Sequence, residues 1–241
     1  MSELINFRDF GGLETEDGRR IKEKIFYRSG SYRDLLDTDR KMIQGLNINH
    51  LFDYREDQEV DIDEKQHELA VTFHQISASA HLGGFDNGDK DRYVHLTADS
   101  MIDFYKKLPF ENPAYINLFD VLQRDDATPM LHNCTAGKDR TGVATALIQK
   151  VLGAKEDEIF YDYMRSMDAF EAILRNEYRR LNGKSEEAIL YKVSGLVIMP
   201  SYLQAAFDAI IDKYGDFETY YLQEFGLTEE KILDLRDKYT E

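Results

Sequence analysis

A chain of 241 residues can bury a full core, as one large domain or two small ones. Thirty basic against 46 acidic residues give a net charge of −16, which argues against nucleic acid as a partner and leaves any anionic substrate to be attracted by its site alone. The single cysteine excludes an internal disulfide; with no apolar leader and no 18-residue apolar run, the expectation is a cytoplasmic protein without an integral membrane segment.

Residues 5–30 pass from Ile5-Asn6-Phe7-Arg8-Asp9 through a polar turn at Asp17-Gly18 to Ile25-Phe26-Tyr27-Arg28-Ser29-Gly30, which predicts a hairpin or pair of strands bounded by glycines. Arg8 and Arg28 have two open readings: reach to a bound anion, or pairing with some of the many carboxylates. Thr38 is placed to cap a helix that runs to Gln44 before Gly45. Ile48–Asp53 reads as a short strand leading into Asp53-Tyr54-Arg55. Strand ends in a parallel α/β sheet face the ligand crevice, so Asp53 and Arg55 are candidate substrate contacts, with an ion pair fixing the turn as the alternative.

The charged run 56–68 predicts a solvated helix or loop, and Val71–Ile76 another strand. Val71 stands where a second histidine would complete His-Glu-x-x-His after His67, so neither His67 nor His74 is assigned a metal. Residues 81–91 form a glycine- and aspartate-rich loop that fails the calcium pattern at Gly88; a surface loop or an active-site flap would fit. Helices are expected from Asp99 to Lys107 and, after the Asn112-Pro113 cap, from Ala114 to Gln123.

Met130 and Leu131 then lead through His132 and Asn133 into Cys134-Thr135-Ala136-Gly137-Lys138-Asp139-Arg140-Thr141-Gly142, and a helical pattern leaves from Gly142 toward Gly153. A strand, a tight turn and a helix N-terminus in that order build an anion site from backbone N–H groups and the helix dipole. A cysteine at its mouth is favoured as thiolate, the form that attacks phosphorus. Arg140, six residues on, offers a planar fork for two phosphate oxygens. A Walker loop is excluded, since it would need Gly at His132 and Ser or Thr at Asp139.

This run resembles the Cys-x-x-Gly-Lys-Asp-Arg-Thr loop of the bacterial atypical lipid and protein-tyrosine phosphatases. Asn6-Phe7-Arg8-Asp9, Arg28-Ser29-Gly30, Asp53-Tyr54-Arg55, the Tyr161–Met167 run and Tyr214-Gly215-Asp216 are similar to the same family, so the resemblance spans residues 5–239. It implies an α/β protein tyrosine phosphatase-like fold, a small and mostly parallel sheet flanked by helices with a helix-rich C-terminal half. Helices are expected at 156–167, 168–181, 185–195, 201–214, 216–225 and 228–239 within a single domain 1–241, with residues 160–195 as a candidate helical lid.

The expected chemistry is hydrolysis of phosphomonoesters (phosphotyrosine, and by extension phosphoserine/threonine or phosphoinositides) through a phosphocysteine, releasing inorganic phosphate without metal or cofactor. Cys134 is the nucleophile; the backbone of Thr135, Ala136, Gly137 and Lys138 and the guanidinium of Arg140 hold the phosphoryl oxygens. Thr141 is expected to donate its hydroxyl to the sulfur. Asp139 is the first candidate for general acid and then base, matching the residue the resemblance points to; its rival role is an ion pair with Lys138 or Arg140. Asp53, Asp86 and Asp89 are reserves. Lys138 adds a second cation, which suits multiply charged headgroups. One departure stands out: the family has histidine immediately before the cysteine, and here Asn133 occupies that place. His132 lies on the opposite strand face and cannot stand in, so a thiol somewhat less readily ionised is expected. The alternatives are a non-catalytic phosphate reader, an inositol phosphate phosphatase, and an arsenate reductase, the last short of the further cysteines its relay needs.

Overall fold

The computed structural model describes residues 4–32, 36–60, 69, 71–79, 97–180 and 196–241. Five strands make one sheet: β1 (Arg8–Asp9), β2 (Phe26–Ser29), β3 (His50–Asp53), β4 (Thr72–Gln75) and β5 (Met130–Asn133), in the order β1-β2-β5-β3-β4. Only β1 runs antiparallel; β2, β5, β3 and β4 are parallel, with Ser29, Asn133 and Asp53 level across the three central strands. Their carboxyl ends therefore share one edge, where parallel α/β sheets bind ligands.

Nine helices surround the sheet among the described residues: α1 (Asp37–Gly45), α2 (Ala98–Lys107), α3 (Pro113–Leu122), α4 (Arg140–Val151), α5 (Glu156–Met164), α6 (Phe170–Arg180), α7 (Pro200–Tyr214), α8 (Phe217–Phe225) and α9 (Glu229–Tyr239). None is long and apolar enough to cross a membrane. Alternation along the strands gives each sheet face its own core. Phe26, Phe52 and Met130 join the larger cluster with α2, α3, α4 and the C-terminal helices. Tyr27, Leu51 and Leu131 join a smaller one with Ile43 of α1. Helix α4 is buried along almost its whole length, which its small residues Gly142, Ala144 and Ala146 permit.

The expected cap at Asn112 forms, and Thr228 caps α9, each accepting a backbone N–H at its helix start. Thr38 does not cap α1. Leu36 occupies that position, and Asp39 reaches back from the first turn to accept the Leu36 N–H at 3.3 Å. α2 begins one residue before Asp99, where Thr97 and Ser100 exchange reciprocal side-chain bonds with each other's backbone N–H. The loop 81–91 with Asp86 and Asp89, and the helix expected at 185–195, lie outside the described residues. Of the candidate lid, α5, a single turn over Arg165–Met167 and α6 are described.

Candidate active site

β5 ends at Asn133, and the chain turns through residues 134–139 before α4 begins at Arg140. The turn is held from outside by its carbonyls. Ser31 N–H donates to the Thr135 carbonyl at 3.1 Å. Asn6 Nδ2 donates to the carbonyls of Ala136 at 3.2 Å and Gly137 at 2.8 Å, and Arg28 Nη2 reaches the latter at 2.8 Å. A trans peptide that points its C=O one way points the following N–H the other. The N–H groups of Ala136, Gly137 and Lys138 thus face away from this belt, and no backbone N–H of residues 135–139 finds an acceptor among the described residues. Gly137 carries a φ of 66°, and a Cβ there would stand 2.4 Å from the Ser29 carbonyl oxygen, so only glycine fits.

Cys134 opens the turn, buried on the sheet face that carries α4. Arg140 is buried and its guanidinium takes a two-pronged grip on Glu59, with Nη2 to Oε1 at 2.8 Å. Thr135 donates to the same Oε1 at 2.6 Å. Burial would push the Glu59 carboxyl up, but the Arg140 charge and the hydrogen bonds from Arg140, Thr135 and the Glu56 backbone hold it well below the usual range. Burial likewise works against the Arg140 charge, and Glu59 more than reverses it. In the described part of the charged run 56–68, expected to be solvated, Glu59 therefore turns inward to the loop arginine; composition alone could not single it out.

Lys138 is buried and donates to both oxygens of Asp139, at 2.6 and 2.7 Å. Asp139 Oδ1 also accepts the Tyr105 hydroxyl at 2.7 Å, and the Tyr163 hydroxyl lies 2.8 Å behind that of Tyr105. The turn thus carries the Lys138–Asp139 ion pair foreseen as the rival to an acid role. Tyr115 donates to the Arg140 carbonyl at 2.6 Å, bracing the start of α4.

Under the turn, Arg8 and Arg28 both pair with a carboxylate. Asp162 of α5 accepts from Arg8 Nε at 2.8 Å and from Arg28 Nη1 at 3.0 Å, while Arg28 also grips the turn itself. Asp53 and Arg55 are fully buried and paired, Arg55 Nη2 donating to Asp53 Oδ2 at 2.6 Å and its Nε to Oδ1 at 2.9 Å, the arrangement that fixes a turn. The Thr141 hydroxyl is buried without a hydrogen-bond partner among the described residues, so the expected bond to the Cys134 sulfur is not made here. His132 lies between Tyr54 Oη and Thr145 Oγ1, at 3.1 and 2.9 Å, and burial with nearby Arg28 keeps it neutral. Both polar side-chain atoms of Asn133 are buried and have no hydrogen-bond partner among the described residues. No group of three or more histidine, cysteine or acidic residues able to hold a metal occurs among the described residues.

A family model described as "tyrosine phosphatase family" matches residues 1–241. Over 234 residues the chain is 26% identical to a Cupriavidus necator protein provisionally named a tyrosine-protein phosphatase, covering 90% of this chain and 80% of that one. It is 25% identical over 269 residues to the triple specificity protein phosphatase PtpB of Mycobacterium tuberculosis, covering 96% and 95%. Among solved structures, the core catalytic domain of the PP-IP phosphatase SIW14 from S. cerevisiae, bound to citrate, matches 78% of this chain and 98% of its own at 14% identity. The TM-score is 0.39.

Proposed function

This chain belongs to the tyrosine phosphatase family and is a phosphoric monoester hydrolase, and from that premise we propose that Cys134 is its nucleophile and residues 134–140 its phosphate cradle. The observation that carries the reading is the turn's polarity: carbonyls engaged on the outside, N–H groups of residues 135–139 left without an acceptor among the described residues. Such a nest, opening onto a helix N-terminus, suits a phosphoryl group and stabilises the charge that builds on its equatorial oxygens.

In the proposed reaction the Cys134 sulfur attacks phosphorus in line. The S–P bond forms as the P–O bond to the leaving group breaks, and a proton reaches the departing oxygen from Asp139. Water then attacks phosphorus, Asp139 takes its proton, and cysteine and inorganic phosphate separate. Arg140 holds two oxygens, and Glu59 aims Arg140. An arriving dianion competes with Asp139 for Lys138, which loosens that ion pair and frees the Asp139 carboxyl to face the leaving group. Tyr105 keeps the carboxyl aimed meanwhile. The Thr141 hydroxyl is free to rotate toward the sulfur when thiolate leaves in the second step.

The substrate class we propose is phosphotyrosine, with phosphoserine/threonine and phosphoinositides as a wider range. Lys138 beside Arg140 favours groups of high charge, and the name of the mycobacterial relative already joins several specificities. A panel of phosphopeptides and phosphoinositides, assayed with wild type and Cys134→Ser, tests this. Phosphate release abolished by the substitution on every active substrate is the expected result. Persistent hydrolysis by Cys134→Ser would overturn the site assignment, and phosphoinositides left untouched would remove them from the range.

A further inference from the structure

The residue before Cys134 carries no charge, and the histidine before that is held neutral between Tyr54 and Thr145. Nearby cations are mostly matched: Arg140 by Glu59, Lys138 by Asp139, Arg55 by Asp53. The exception lies under the turn. There two arginines, Arg8 and Arg28, share the single carboxylate of Asp162, and all three are buried.

Register fixes what this cluster faces. Arg28 is level with His132 in the parallel pairing of β2 and β5, and Cys134 follows two residues later on the same face. Arg28 Nη2 touches the turn at the Gly137 carbonyl and would lie 3.4 Å from a Cβ on Gly142, in the first turn of α4. Its Nε is buried without a hydrogen-bond partner among the described residues. Arg28 is thus a buried cation that shares its carboxylate with Arg8, and its charge interacts with that of Cys134.

We propose that Arg28, backed by Arg8 and tempered by Asp162, is the buried cation that favours the thiolate of Cys134, taking the part that a charged residue at Asn133 would play. The inference rests on Cys134 being the nucleophile. Burial is the largest influence on Arg28 and brings it down to about 10, aided by the like charge of Arg8 and opposed by Asp162 and Cys134; it stays charged at neutral pH. Around the sulfur, burial pushes the phenols of Tyr54 and Tyr115 well up, so both are neutral. Glu56 lies beyond Ser79, whose hydroxyl donates to it at 2.9 Å, and Arg165 approaches Asp162 only to 3.9 Å from the exposed side. Removing Arg28 would lose a cation next to the nucleophile; removing the Asp162 charge would add net positive charge at the same place. The two changes must act in opposite directions.

The test is the pH profile of Cys134 inactivation by iodoacetamide, a neutral reagent that reports thiolate without any turnover. Arg28→Met is expected to move its midpoint up by roughly one pH unit, the usual effect of losing one close charge. Arg8→Met should move it the same way by less, and Asp162→Asn should move it down. Arg28→Lys should restore most of the wild-type midpoint. Midpoints that coincide, or that shift together in one direction for Arg28→Met and Asp162→Asn, would overturn the proposal, since a merely structural cluster gives no opposite signs. If Arg28→Met fails to fold, the opposed pair Arg8→Met and Asp162→Asn decides alone. Cys134→Ser on p-nitrophenyl phosphate separates the two readings: retained activity would remove the nucleophile itself, whereas abolished activity with unmoved midpoints would remove only the role given to Arg28.

Discussion

Glu59 is the residue whose replacement reports most about the phosphate cradle. In Glu59→Gln the side chain keeps its shape and one oxygen for Thr135 or Arg140, but a nitrogen replaces the oxygen that completes the two-pronged grip on the guanidinium. One charge-assisted hydrogen bond is lost, about 1.5–3 kcal/mol. If that loss appears wholly as a looser hold on the transition state by Arg140, kcat/KM falls roughly 10- to 160-fold, at a tenfold drop per 1.36 kcal/mol. The assay is steady-state hydrolysis of p-nitrophenyl phosphate, with inorganic phosphate as competitive inhibitor measured alongside. A weaker phosphate grip should accompany the fall. The opposite result would refute the reasoning: if the Glu59 carboxylate fills the place of the substrate's own oxygens, Glu59→Gln would raise kcat/KM and tighten phosphate inhibition.

Three further outcomes follow from the geometry. Gly137→Ala should destabilise the fold by about 2 kcal/mol or more in urea unfolding, because a left-handed backbone costs a side chain about 1–2 kcal/mol and the Cβ also collides with the Ser29 carbonyl oxygen at 2.4 Å; unchanged stability would mean that the turn is not held as described. Asp139→Asn should hurt phenyl phosphate far more than p-nitrophenyl phosphate, whose leaving group needs little protonation. Equal losses would leave Asp139 as the anchor of Lys138 only. Glu59 is held below its ordinary range when folded, so its contribution to stability is complete above an unfolded value of about 4.3 and fades as the pH falls toward the lower folded one. Wild type should therefore lose stability through that acid window more steeply than Glu59→Gln; parallel curves would contradict the pairing.

The elements with strong local signals were legible in the amino-acid order: the cap at Asn112, the stripes of the C-terminal helices, and the strand–turn–helix around Cys134. Strands β2 and β5 were harder to read on pattern, because their buried ends carry Arg28, His132 and Asn133 where apolar residues would be expected. The loop and its glycine could be read because a left-handed turn and a helix start demand particular residues. What could not be read were partnerships across long stretches of chain. Glu59 lies in a run of like charges, and nothing local marks which of them turns inward to Arg140. Tyr105 and Tyr163 look like ordinary core aromatics until α2 and α5 bring their hydroxyls to Asp139. Asn6 gives no hint that it will hold two carbonyls of a turn 130 residues away.

Catalysis by Cys134 requires that phosphorus become bonded to sulfur. Turnover of a phosphorus-labelled aryl phosphate, quenched in denaturant within the first catalytic cycle and mapped by peptide mass, should place the label on the peptide containing Cys134. Asp139→Asn, by slowing the attack of water, should increase the trapped fraction. Label found on another residue, or rapid phosphate release with no labelled peptide in either protein, would contradict the central claim.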